Sequence, residues 1–194
     1  MIDIVFPDKN ENEFIEMAKE LDFKKLCFVY PLDKFPIEKY PNTIKAIICL
    51  PKDIPKARKK TKLVFIESSE SDRHAIEKLP FDILFNLENV AQRDGTHSKR
   101  SGLNQVLCEL MAKRKKAVAL NFNNILNANK GLRSVIIGRM MQNISLCKKF
   151  KVKLILASFA KKPYQMRAYH DMIAFGITLG MHPSEAKKAL DSIE

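Results

Sequence analysis

Arg93, His97, Lys99 and Arg100 crowd together, and no acidic residue intervenes between Asp94 and Glu109. The segment leads into an apolar-periodic stretch that starts near Gly102. Cationic side chains beside the free N–H groups of a helix start suit phosphate. A solvated surface loop is the competing reading of the same charges. Two further basic groups follow, Lys130 with Arg133, then Lys161, Lys162 and Arg167. In each, arginine can grip phosphate with two parallel bonds, whereas lysine acts as a point charge. Tyr164 suits stacking on an unpaired base as well as packing against its own loop.

Other charged residues are weaker candidates. The run PKARKKTK (55–62) reads as a solvated loop or as a further RNA contact. Lys113, Arg114, Lys115 and Lys116 end a helical stretch, where complementing the helix dipole is favoured over RNA contact. Arg139 sits two turns into a helix and is a poor rim residue. His97 has no evident carboxylate partner, so a structural or RNA-contacting role is favoured over general-base catalysis. No catalytic residue is assigned. Asn104 is placed to cap a helix start, and Gln142 and Asn143 to join a buried polar network or meet a partner.

Metal and thiol chemistry find little support. Cys27, Cys49, Cys108 and Cys147 form no CxxC pair and read as small buried hydrophobes in a reducing cytosol. His74, His97, His170 and His182 show no HxH or HExxH spacing, so no metal site is assigned. Asp3, Glu67, Glu88 and Asp94 are left as oxygen ligands for an alternative, metal-dependent phosphoesterase.

The whole chain carries 34 Lys and Arg against 22 Asp and Glu, a net charge of +12. That balance favours nucleic acid as partner, with an acidic protein as the alternative. Apolar residues make up 46%, which excludes a disordered chain. No apolar run reaches the ~18 residues of a membrane span. MIDIVFPD lacks a secretion signal's basic start, so the expected location is the cytoplasm.

The elements that must position these residues alternate. Nearly continuous apolar runs at 2–6, 26–30, 46–50, 63–67, 83–87, 117–121 and 154–158 read as strands buried on both faces. Helical patterns lie at 13–21, 71–78, 102–115, 132–150, 169–179 and 183–192. In the third of these, Leu103, Val106, Leu107, Leu110 and Met111 form one stripe. The expected fold is α/β: one domain over 1–194, a compact, irregular (β/α) TIM-like barrel with about seven parallel strands. An open doubly wound sheet is the alternative. In a barrel, all three basic groups fall at the C-terminal ends of strands, where such folds carry function.

Three blocks are more specific. SGLNQVLCELMAKRKKAVALNFNNIL (101–126), preceded by His97 and basic residues, resembles protein component 3 of archaeal and eukaryotic ribonuclease P, a TIM-barrel-like subunit. GRMMQNISLCKKFKVKLILAS (138–158) and AFGITLGMHPSEAKKAL (174–190) resemble later parts of that family, in the same order. The first half agrees only in its βα rhythm. Where the family commonly has an apolar pair before the histidine, this chain has Gly95 and Thr96. The resemblance implies an RNA-binding subunit of an enzyme that removes the 5′ leader of precursor tRNA. It implies that the RNA and its Mg²⁺ perform the cleavage, with no cofactor on this chain. It further implies a small α/β sandwich subunit as partner in a two-plus-two heterotetramer, and only indirect contact with precursor tRNA.

Overall fold

The computed structural model describes residues 1–89, 94–95 and 99–193. Its strands follow one another in chain order in a single parallel sheet. They are β1 (Ile2–Val5), β2 (Lys25–Pro31), β3 (Thr43–Ile48), β4 (Val64–Glu67), β5 (Ile83–Phe85), β6 (Ala117–Asn121) and β7 (Lys153–Ala157). The helices are α1 (Glu11–Glu20), α2 (Ile54–Lys60), α3 (Asp72–Lys78), α4 (Gln105–Lys113), α5 (Phe122–Asn127), α6 (Lys130–Phe150), α7 (Tyr169–Thr178) and α8 (Pro183–Leu190). This is the expected TIM-like barrel rather than an open sheet.

The strands look continuously apolar because both of their faces are covered. Alternate residues still divide the work. Ile2, Ile4, Cys27, Val29, Ile83 and Phe85 fill the lumen. Their neighbours Leu26, Phe28 and Leu84 pack outward under helices. Seven strands enclose a narrow space, so large and small lumen residues must alternate. Phe65, Phe85 and Phe159 fit beside Ala46, Ala117, Ala119 and Ala157. Phe85 and Phe159 stack with their ring centroids 5.2 Å apart.

Closure falls to the seam between β1 and β7. Backbone pairing there is short: a parallel bridge joins Val5 to Ala160, and Phe6 N–H donates to Ala160 O at 2.8 Å. Further down, the carboxylate of Asp3 takes over. It accepts the Ser158 N–H at 2.7 Å and the Ser158 hydroxyl at 2.6 Å, as well as the Ile4 N–H at 2.9 Å. Asp3 is only 1% exposed.

Several elements depart from the sequence reading. Residues 55–62 are mostly not loop, because α2 runs through them. Pro55 suits the first helical turn, and Ile54 and Ala57 share one buried face. The fifth strand stops at Phe85, since Asn86 turns to φ +62° and a 3₁₀ turn, Leu87–Asn89, follows. Lys116 does not serve the α4 dipole. It is buried over the Phe81 ring and donates to Leu79 O and Phe81 O at 2.6 and 3.1 Å. Burial pushes its pKa down to about 8. The four cysteines are free thiols, and Cys49 alone among them is half-buried rather than buried. Among the described residues no helix is long and apolar enough to cross a membrane.

Burial pushes the Asp3 carboxyl up to about 6, against the three hydrogen bonds that favour its charged form. The folded protein therefore holds this proton more tightly than the unfolded chain. Asp3 adds stability that is complete below the ordinary carboxylate range and fades as pH rises through about 6. Urea unfolding of the wild type and Asp3→Asn at two pH values isolates the effect. The wild type should gain about 1 kcal/mol over the variant between pH 7.5 and pH 5. Asp3→Ala, which strands the Ser158 N–H, should cost roughly 2–4 kcal/mol at either pH.

Candidate nucleic-acid interface

The rim at the C-terminal ends of the strands is built from three connections. The one after β5 begins with Asn86 and the 3₁₀ turn and ends at α4. Gly102 is required in it. Its φ is +85°, and a Cβ there would lie 2.5 Å from the carbonyl oxygen of Leu87. Two residues on, Asn104 caps α4 by accepting the Leu107 N–H at 2.9 Å, as its position in the sequence suggested. Leu103 between them is buried in the outer core.

A buried polar network ties this connection to α6. Arg139, 1% exposed, donates from Nε to Asp94 Oδ1 at 2.9 Å and from Nη1 to Glu88 O at 2.6 Å. The same Asp94 oxygen accepts the Arg100 N–H at 2.8 Å. One turn along α6, the Asn143 amide donates to Glu88 Oε1 at 2.8 Å and to Ser101 O at 2.9 Å. The Arg100 N–H, then the Arg139 guanidinium, hold the Asp94 carboxyl below its usual range. Glu88 goes the other way. Burial pushes it up to about 7, against the Asn143 hydrogen bond and the Arg139 charge. Near neutral pH it carries a proton for part of the time, which lightens the cost of its buried Oε2, unpartnered among the described residues.

The candidate phosphate ligands fare differently. Arg93 and His97 lie outside the described residues. Lys99 and Arg100 are exposed. The Lys99 ammonium lies 3.2 Å from where a Cβ of Gly138 would stand, so its side chain crosses α6 at a residue with none. Lys130 is exposed at the first position of α6, ~12 Å along the helix from Gly138. Arg133 is exposed, yet its Nε and Nη2 donate to Ile125 O and Ala128 O, both at 3.1 Å. Those carbonyls at the end of α5 lack intrahelical donors. Lys161 and Lys162 are exposed, with the Lys162 ammonium 5.8 Å from the Tyr164 ring centre. Arg167 turns inward. Its Nη1 donates to Tyr164 O and Met166 O at 3.0 and 2.8 Å, and its guanidinium faces Phe122.

Charges elsewhere are similarly divided. In α2, Arg58 donates to Pro80 O at 2.6 Å, to Lys62 O and to Asp82 Oδ1 at 2.7 Å, while Lys56, Lys59 and Lys60 are exposed. The four carboxylates considered as metal ligands have separate uses. Asp3 closes the seam, Glu67 accepts from Asn86 at 2.7 Å, Glu88 meets Asn143, and Asp94 meets Arg139.

Sequence reasoning missed the cavity at the barrel mouth. It is about 800 Å³ in volume. Phe6, Asn86, Asn121, Asn124 and Lys161 are among its lining residues, together with Leu132 at the start of α6. The cavity thus joins the connections after β5, β6 and β7. The only signal in the sequence was the asparagine cluster NFNN (121–124) at a strand end.

Comparison with known proteins agrees with this architecture. The model of the RNase P subunit p30 family matches residues 51–194. Ribonuclease P protein component 3 of Methanocaldococcus jannaschii is 28% identical, over 98% of this chain and 87% of that protein. The same component of Thermococcus kodakarensis is 31% identical over 93 residues, covering 48% of this chain and 42% of that protein. The fold resembles a chain in the cryo-EM structure of archaeal ribonuclease P with mature tRNA. That match has a TM-score of 0.78 at 24% identity and covers 99% of this chain and 87% of that one.

Removing one member of a buried charged network strands the others. Arg139→Met should cost about 3–5 kcal/mol in unfolding free energy, and Asn143→Ala about 1–3 kcal/mol. Both hold Glu88, so the double variant should lose less than the sum of the two. Denaturant titration of the four proteins measures this; strict additivity would mean that the two side chains act independently.

Proposed function

This chain belongs to the RNase P subunit p30 family, and we propose that it supports tRNA processing by lending positive charge to the folded catalytic RNA of ribonuclease P. RNA and other proteins are its partners. The observation that carries the reading is the exposed set Lys99, Arg100, Lys130, Lys161 and Lys162, which comes from three separate connections around one rim. The buried Arg139 network fixes the first connection against α6, the helix that follows the second.

Phosphates packed together in a folded RNA repel one another, and each lysine that approaches releases condensed counterions. A rigid frame holds the cations in place before binding, so little side-chain and loop order is lost on association. Arg93 and His97, from the same basic stretch of the sequence, are proposed to add to this charge. Arg133 and Arg167, partly engaged with carbonyls, position the connections and leave fewer donors for phosphate. On this reading the hydrolysis of precursor tRNA belongs to the RNA and its Mg²⁺, and the chain contacts precursor tRNA indirectly. A small α/β sandwich subunit, paired in a two-plus-two heterotetramer, is the proposed protein partner, and the cytoplasm the proposed location.

Affinity of the purified chain for its cognate RNA, measured across a salt series, tests the charge contribution. Binding should weaken steeply with salt. Lys99→Ala and Lys161→Ala should each reduce the slope of log affinity against log salt by about one. Lys187→Ala, on the distant helix α8, should leave the slope unchanged. A flat salt response of the wild type, or equal effects at all three positions, would overturn the proposal.

A further inference from the structure

The cavity at the barrel mouth has a volume of about 800 Å³, within the ~300–1,000 Å³ of small-molecule sites. Its floor is aromatic: Phe85 lines it, and the half-buried Phe6 packs against Phe85 at 6.1 Å and Phe159 at 5.9 Å. Its wall is a fixed set of amides. Asn86 donates to Glu67 Oε1 at 2.7 Å, and Asn86 Oδ1 accepts from both Asn121 and Asn124, each at 2.8 Å. These bonds set the planes of the amides and decide which atoms remain for a ligand.

What remains is specific. Asn121 is 5% exposed, and its Oδ1 has no hydrogen-bond partner among the described residues. A buried acceptor left unpaired is costly, so natural folds seldom leave one without a ligand, ion or water to receive. Asn124 uses one of its two amide hydrogens on Asn86 and has the other to offer. Asn121 also donates to Asn124 Oδ1 at 3.3 Å, so the unpaired acceptor and the spare donor belong to neighbouring amides of one cavity with an apolar floor, chemistry that matches the edge and the face of a nucleobase. Every base carries an adjacent donor and acceptor on its pairing edge, so this pair is not restricted to one of the four. Lys161, exposed at the rim and also lining the cavity, supplies the charge that a nucleotide's phosphate requires.

We infer that this cavity receives one unpaired RNA base, held on its edge by Asn121 and Asn124, on its face by Phe6, and through its phosphate by Lys161. The inference rests on the RNA-binding reading above and deepens it: the rim neutralises the backbone, while the mouth holds an extruded base. A base already outside a helix can enter without the cost of unstacking, which favours loops and bulges over duplex.

The test is an NMR titration of the full chain with each of the four ribonucleoside 5′-monophosphates, following the side-chain amide signals of Asn86, Asn121 and Asn124. Ribose 5-phosphate and inorganic phosphate serve as controls. At least one nucleotide should shift these signals saturably, and neither control should do so. Asn124→Ala should weaken that nucleotide about fivefold, the loss of one hydrogen bond. Amides that stay still with all four nucleotides, or that move equally with ribose 5-phosphate, would overturn the inference. The unmodified chain decides this even if the variant fails to fold. RNA binding that is steep in salt while the amides stay still removes the base site alone; nucleotide binding with a flat salt response removes the rim reading instead.

Discussion

A side chain completes this barrel where the backbone does not. Seven parallel strands curl until β1 meets β7, but backbone pairing between them is confined to the neighbourhood of Val5 and Ala160. A buried N–H without an acceptor is expensive. Asp3 resolves this at Ser158, accepting the backbone N–H and the hydroxyl together. The lumen then closes tightly enough for Phe65, Phe85 and Phe159 to fill it. Closure also sets the end of β1 beside the connection after β7, which brings Phe6 and Lys161 to the same cavity.

A second constraint acts on the rim. Burying the Arg139 charge is costly unless nearly all of its donors are met. The carboxylate of Asp94 balances the charge and accepts from Nε, the carbonyl of Glu88 accepts from Nη1, and the Arg100 backbone shares the same carboxylate. Two stretches that look independent in the sequence, Ser-Gly-Leu-Asn at 101–104 and the Arg-Met-Met-Gln-Asn run at 139–143, are thereby one physical unit. Within the first stretch, Ser101 presents its carbonyl to Asn143, Gly102 fits against Leu87, Leu103 enters the core and Asn104 caps the next helix. Their common task is to hold the basic connection in place.

The cations divide by chemistry. Arg58, Arg133, Arg139 and Arg167 donate to carbonyls or carboxylates of the same chain. A guanidinium is weakly hydrated and carries five donors in a flat fork, which suits it to binding several backbone oxygens near the surface or below it. An ammonium is strongly hydrated and stays in water. Lys99, Lys130, Lys161 and Lys162 accordingly stand exposed; Arg100 is exposed with them, and Arg133, exposed too, spends donors on the carbonyls of Ile125 and Ala128. Lys116, buried over Phe81 with two carbonyls as partners, and Lys45, half-buried with three, are exceptions.

The sequence by itself determined the sheet, the helices other than α2 and α5, and the family. Strands buried on both faces must be apolar nearly throughout, and that pattern survives in one dimension; so do the glycine and asparagine that a tight helix start demands at Gly102 and Asn104. It also determined that the chain is basic, because charge simply sums. Only the tertiary structure decided which charges remain available and what surrounds them. Arg139 and Arg133 look alike as letters, yet one is buried beneath the connection after β5 and the other ties down the end of α5. Asn86 and Asn121 stand 35 positions apart and become partners because β5 and β6 are adjacent. A cavity and an unpaired acceptor arise from the convergence of separate segments, and no local spacing encodes them.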